Sequence, residues 1–328
     1  MRSADLAALA LTLIWGTGFV IQKVALEQIP ALPFTCFRFM GMLALAWAVV
    51  IIRRRGNLRE LRFRREDFAL IALAGVLGYT LYITLSTVGL TYTTAFSNAL
   101  LVAVAPICAV VISACLRIEP VRPRQWLGLA VAVGGIALFV SQALAAGAHS
   151  AAIGDAISLV AATGFAAYTV CNKPLLQRYP LDLIIASTLT VGALPVIALA
   201  LPATLHVAWS HVSAPAWGAL LWSTIVPVYV AWTVWAWVIG RIGVARTALY
   251  LYVVPLVGGV TSWLVLGESF GPEKLIGGAV VLAGVALARR GEQESRPAPR
   301  AAARRLACAP RERRSSLRHV IDAEDPFP

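Results

Sequence analysis

Residues 98–138 read NALLVAVAPICAVVISACLRIEPVRPRQWLGLAVAVGGIAL, and residues 247–287 read TALYLYVVPLVGGVTSWLVLGESFGPEKLIGGAVVLAGVAL. Laid over each other with a shift of 149, Ala99 and Leu100 fall on Ala248 and Leu249, and Val104 and Pro106 on Val253 and Pro255. Glu119 and Pro123 meet Glu268 and Pro272, and Gly128 and Gly135 meet Gly277 and Gly284. Biased apolar composition yields scattered matches. One register held through proline, glutamate and two glycines is an internal repeat. A shift of 146 also lays Thr17-Gly18-Phe19 on Thr163-Gly164-Phe165, which carries the repeat to the first span of each half.

The repeated unit is apolar almost throughout. Of 328 residues, 59% are hydrophobic and 13% charged, against roughly 25% charged in soluble domains. That leaves too few polar side chains to cover a water-facing surface. The apolar residues also come in blocks: residues 69–90 carry no charge, and residues 125–172 carry only Asp155. A spanning helix takes about 20 such residues. Blocks between charges and Pro/Gly punctuation give ten spans, near 5–26, 32–52, 67–89, 94–116, 124–142, 152–172, 182–201, 215–240, 245–266 and 272–289. The expected fold is therefore an all-α membrane protein of ten transmembrane helices, built from two five-helix repeats. Residues 1–143 form the first repeat and 144–289 the second, and 290–328 read as a disordered basic tail.

The net charge of +12 sits in short loops and the tail, so it reads as membrane orientation rather than nucleic-acid binding. With the N-terminus in the cytoplasm, the inner loops hold Arg53, Arg54, Arg55, Arg59, Arg62, Arg64 and Arg65, then Arg117, Arg122 and Arg124, then Lys173 and Arg178, then Arg241 and Arg246. The opposite side receives only Lys23 and Lys274, with His149, His206 and His211. The tail then lies inside as well, and the expected location is a bacterial inner membrane. Five spans per repeat is an odd number, so two copies in series insert in opposite directions. Inverted repeats of this kind mark secondary transporters, because they give near-degenerate arrangements open to either side.

Other chemistries lack their residues. Gly16-Thr17-Gly18 fails GxGxxG because Ile21 stands at the third glycine, and no GxxxxGK[ST], HExxH or GxSxG occurs. The cysteines Cys36, Cys108, Cys115, Cys171 and Cys308 form no CxxC pair. No catalytic residue, metal or cofactor is expected. A membrane-embedded enzyme would need clustered His, Asp or Glu near one interface. A channel would favour a ring of like polar groups in an oligomer, whereas the repeat supplies both halves in one chain and suggests a working monomer.

Leu13-Ile14-Trp15-Gly16-Thr17-Gly18-Phe19, the Arg38-Phe39 pair, and the run from Tyr250-Leu251-Tyr252-Val253-Val254-Pro255 to Gly267-Glu268 resemble an EamA-type drug/metabolite transporter. The resemblance covers roughly residues 5–289. It implies ten helices with both termini cytoplasmic, and export or exchange of small metabolites, amino acids among them. The 146 register sets Ala161-Ala162 opposite Trp15-Gly16, where the family often keeps an aromatic.

Polar groups inside a bilayer are costly and ask for a reason. Arg38 lies about two turns inside the second span; it either snorkels to the outer interface or binds a substrate carboxylate. Lys23 and Glu27 read as an i, i+4 surface pair, and Asp155 as an acid facing its own helix dipole. Glu119 and Glu268 read as interfacial anchors. Pro106 and Pro255 fall near the middle of spans four and nine, where they act as hinges bordering a site or as packing kinks. Trp222, Tyr229 and Trp232 share one stripe of the eighth span, a cavity wall or a lipid-facing surface. Trp15, Tyr79, Tyr82, Asn98, Tyr168 and Tyr250 complete the candidate binding set for a zwitterion. No Asp, Glu or His lies near mid-span, so the economical energetics is facilitated diffusion.

Overall fold

The computed structural model describes residues 3–54, 62–117, 123–145, 147–242 and 250–293. Glu119, the arginine loop at 55–61 and the basic tail from 294 lie outside the described residues. Every regular element among the described residues is helical, as lipid requires: a helix satisfies its own backbone bonds where no water is present to do so. Seven stretches are long and apolar enough to cross a membrane: Ser3–Leu26, Ala31–Arg53, Arg65–Tyr92, Ala95–Cys115, Pro123–Ser141, His149–Leu176 and Leu181–Leu205. They fall on the first seven expected spans. Of the last three expected spans, the eighth falls on two helices joined by a π-helical stretch, the ninth on the shorter Val253–Leu266 with residues 243–249 outside the described ones, and the tenth on the helix Pro272–Gln293.

In chain order the α-helices are α1 (Ser3–Leu26), α2 (Ala31–Arg54), α3 (Phe68–Gly75), α4 (Thr84–Tyr92), α5 (Ala95–Val102), α6 (Ala105–Cys115), α7 (Pro123–Ala145), α8 (His149–Leu176), α9 (Leu181–Leu205), α10 (Ala214–Ile225), α11 (Ala231–Ile242), α12 (Val253–Leu266) and α13 (Pro272–Gln293). A π-helical stretch, Val76–Ile83, joins α3 to α4, and a second, Val226–Val230, joins α10 to α11. Shifted by 149, the first stretch covers the second. Turns at Ala103–Val104 and at Leu251–Tyr252 precede α6 and α12. Pro106 and Pro255 therefore stand in the first turns of new helices, second in α6 and third in α12, rather than within continuous ones. This corrects the mid-helix kink: a proline in a first turn interrupts no intrahelical hydrogen bond.

The packing is arranged for a lipid solvent. Along α9 the buried face mixes Leu183, Ile184, Leu189 and Val196 with the small Ala186, Ser187, Thr188, Gly192, Ala193 and Ala200, while Leu194, Leu205 and the 75% exposed Leu199 point outward. Small residues let helix backbones approach where lipid removes the hydrophobic drive between helices. The buried hydroxyls return to their own helix, Ser187 Oγ to Leu183 O at 2.8 Å and Thr188 Oγ1 to Ile184 O at 2.7 Å. Helix pairs join the two halves of the sequence: α2 packs on α9, α7 on α13, α1 on α10, α11 and α12, and α8 on the α3–α4 and α5–α6 segments.

The α7–α13 contact is reciprocal. A Cβ on Gly128 would lie 2.5 Å from Ala288 N and 2.7 Å from Gly284 O, and one on Gly284 would lie 2.5 Å from Ala132 N and 2.7 Å from Gly128 O. Gly135 and Gly277 face each other's backbones in the same way. The shift of 149 exchanges Gly128 with Gly277 and Gly135 with Gly284, so each contact maps onto the other.

Burial also resets the register of the first span of each repeat. The buried residues Ala4, Asp5, Ala8, Leu11, Thr12 and Gly16 of α1 correspond in spacing to Gly154, Asp155, Ser158, Ala161, Ala162 and Ala166 of α8. That register is 150 rather than 146. A three-residue identity is outweighed by the face that must point inward. Phe165, not Ala161, is then the counterpart of Trp15, and both halves keep an aromatic there.

Candidate functional site

Arg38 stands on the inward face of α2, 8% exposed. Its Nη1 donates to Gln22 Oε1 of α1 at 3.0 Å. Its Nε has no hydrogen-bond partner, and among the described residues no carboxylate forms an ion pair with it. Tyr82 is a neighbouring polar side chain. A desolvated guanidinium presenting an unused N–H is a receptor for an oxyanion. The residue as a whole is buried, with its Nε wholly enclosed.

An aromatic cluster surrounds this corner. The π-helical stretch carries both Tyr79 and Tyr82, each of which packs on an aromatic of α8; such bulges recur at functional sites. Tyr82 packs on Phe165 at 4.7 Å between centroids, Tyr79 meets Tyr168 edge-on at 5.8 Å, and Phe39 meets Tyr79 at 6.4 Å. The Tyr79 and Tyr168 hydroxyls are 3.5 Å apart. Gly78 admits the Tyr168 ring, because a Cβ there would lie 2.3 Å from Tyr168 Cδ2. On the related face, Trp15 meets Trp235 edge-on at 5.3 Å, and its Nε1 donates to Pro227 O at 3.3 Å, a carbonyl within the second π stretch.

The remaining candidates go elsewhere. Asn98 is fully buried; its Nδ2 donates to Ser86 O at 2.7 Å and its Oδ1 accepts from Ser86 Oγ at 3.0 Å, so its amide is spent holding α5 to α4. Tyr250 donates its hydroxyl to Asp5 Oδ1 at 2.9 Å. Trp222 stands against Gly18 and lines an apolar cleft of about 360 Å³ with Leu13, Thr17 and Val265 among others. Leu13 and Val265 are exposed, so this cleft faces the hydrocarbon side. The backbones of Tyr229 and Trp232 lie in the second π stretch and in α11; their side chains are outside the described residues, and so is that part of the expected cavity wall.

Two charge readings change. Lys23 does not pair with Glu27. It reaches Glu268 Oε1 at 3.1 Å and donates to Thr93 O, because Glu268 is fixed close by as an acceptor for Ala95 N at 2.9 Å. Glu268 thus caps α5 and anchors the far end of α12. Asp155 is the seventh residue of α8, 1% exposed, and accepts from Thr93 Oγ1 at 2.5 Å. It is too deep to serve its own helix terminus, since α8 begins at His149 rather than near residue 152. Sequence reasoning passed over Gln22, Phe165 and Asp5. The 150 register would have found Phe165. Gln22 is an amide inside a span, a signal as strong as Asn98. Among the described residues no three His, Cys, Asp or Glu side chains gather as metal ligands.

The model of the EamA-like transporter family matches residues 2–141 and again residues 152–290. A probable terminal-alkyne amino-acid exporter of Streptantibioticus cattleyicolor is 30% identical over 286 residues, 86% of this chain and 92% of its own length. A probable amino-acid metabolite efflux pump of Salmonella typhimurium is 23% identical over 297 residues, 87% of this chain and 94% of its own. A crystal structure at 20% identity has a TM-score of 0.57 over 87% of this chain and 96% of that one, which shows the fold. Matched along both halves, the chain belongs to the EamA-like transporter family and is a multi-pass membrane transporter rather than an enzyme.

Proposed function

We propose that the protein exports a small carboxylate-bearing metabolite of the amino-acid type by alternating access, with Arg38 as the anion receptor. The observation that carries this reading is a buried guanidinium with a free N–H and no counter-ion among the described residues. A charge in that setting is costly without a partner, and a substrate carboxylate supplies one. Gln22 orients the guanidinium, and Tyr79, Tyr82, Phe165 and Tyr168 form the adjoining wall for an apolar or aromatic moiety. The relatives named as exporters of amino-acid compounds point the same way.

The architecture behind it is ten spans in two inverted five-helix repeats, 1–143 and 144–289, with both termini and the tail at 290–328 cytoplasmic and the whole acting as a monomer in the bacterial inner membrane. The reciprocal Gly128–Gly284 and Gly135–Gly277 contacts support a two-fold relation. So do the overlapping π stretches and the paired breaks before α6 and α12, whose turns are the places where spans four and nine flex. Arginine sorting supports the orientation.

Transport runs down the substrate gradient. In proteoliposomes, net flux of a zwitterionic amino acid is expected to be the same with and without an imposed pH gradient. Uphill accumulation driven by that gradient, and lost in Asp155→Asn or Glu268→Gln, would overturn the facilitator reading.

A further inference from the structure

We infer that Asp5 and Asp155 are the two latches of the alternating-access cycle, one closing each end of the pathway; the inference rests on the transport reading above. The two residues hold the same place in the burial pattern of α1 and α8, 150 positions apart. Both are buried carboxylates inside spans, at 6% and 1% exposure. Each accepts a hydroxyl from the opposite half of the sequence. Tyr250 OH, just before the turn that starts α12, donates to Asp5 Oδ1 at 2.9 Å. Thr93 Oγ1, just before α5, donates to Asp155 Oδ1 at 2.5 Å.

Because the repeats are inverted, the two bonds lie at opposite ends of the molecule. Asp5 is in the first turn of α1, at the end where the chain begins. Asp155 lies near the opposite end, beside the Lys23–Glu268 pair, Lys274 and the Thr94 hydroxyl to which Lys274 donates at 3.3 Å. Both bonds are formed in this structure, and Arg38, which bonds Gln22 next to Lys23 toward the Asp155 end, is buried. The Asp155 tie is a single hydroxyl bond, with Oδ2 left unpartnered. A buried carboxylate held so sparingly adds little to stability and is suited to opening.

The test is hydrogen–deuterium exchange of the full-length chain in lipid nanodiscs. Thr93→Val removes one oxygen without changing volume. It is expected to raise exchange several-fold in peptides covering 84–98 and 150–160, and to leave 3–12 and 250–258 unchanged. Tyr250→Phe is expected to do the reverse. Asp155→Ala and Asp5→Ala, which remove the acceptor, form a second pair with the same opposed pattern, should a hydroxyl variant express poorly. Loosening of the same end by both members of a pair, or of neither end, would overturn the inference. Exchange is read without substrate, so that failure leaves the transport reading intact. Opposed opening in a protein that shows no flux would support the latches and sink the transport reading alone.

Discussion

Replacing Arg38 with Gln is expected to cut transport of a carboxylate-bearing substrate by roughly ten- to a hundredfold and to leave the protein folded. Hydrogen bonds to a charged group contribute about 1.5–3 kcal/mol, and each 1.4 kcal/mol is about tenfold in binding. The Arg38 guanidinium is buried, has an unused Nε and donates through Nη1 to Gln22. Removing a buried cation that lacks a counter-ion relieves a desolvation cost, so the thermal midpoint should hold or rise. A residue that only packs would show the opposite: lower stability with affinity preserved. Arg38→Lys should fall between wild type and Gln, because it keeps the charge and loses the planar fork. Flux and melting measured on the same three preparations separate the two roles.

The second large effect lies in the α7–α13 seam. Gly135→Val is expected to destabilise the protein by about 3 kcal/mol, the upper end of what overpacking costs. The added Cβ would lie 2.6 Å from Val281 N and 3.0 Å from Gly277 O, and backbone atoms cannot turn aside as a side chain can. The neighbouring Gly134→Ala should do the reverse, since nothing lies within 4 Å of its Cβ position. Removing a helical glycine there is expected to add about 0.5–1 kcal/mol. A thermal melt of the two variants in one detergent checks both signs. Equal melting temperatures would mean that the seam does not hold the repeats together.

The membrane character and the positions of the first seven spans were legible because they depend only on where charges stop apolar runs. The repeat was legible through Pro106, Pro255, Glu119, Glu268 and the glycines. Of the candidate residues, Arg38, Tyr79, Tyr82 and Tyr168 gather in one corner, which is the site we propose. What escaped depends on which face of a helix turns inward. Asn98 looked like a binding amide until its fixed bonds to Ser86 placed it in a helix joint. Lys23 and Glu27 are neighbours in sequence, yet the stronger acceptor comes from a residue 245 positions away. Register along α1 and α8 was misjudged because Thr-Gly-Phe is a short local match, while burial samples the whole helix. The first π stretch was not legible from apolar patterning; Gly75 and Gly78 pack closely there against α9 and Tyr168.

The most direct test of the account is counterflow in proteoliposomes without any ion gradient. Vesicles are preloaded with an unlabelled aromatic amino acid and given a trace of the labelled compound outside. Alternating access with a carboxylate receptor predicts transient uphill accumulation of label that saturates with concentration. Preloading with the corresponding amine, which lacks the carboxylate, should produce none. Linear flux with no overshoot, or equal overshoot with the amine, would contradict it.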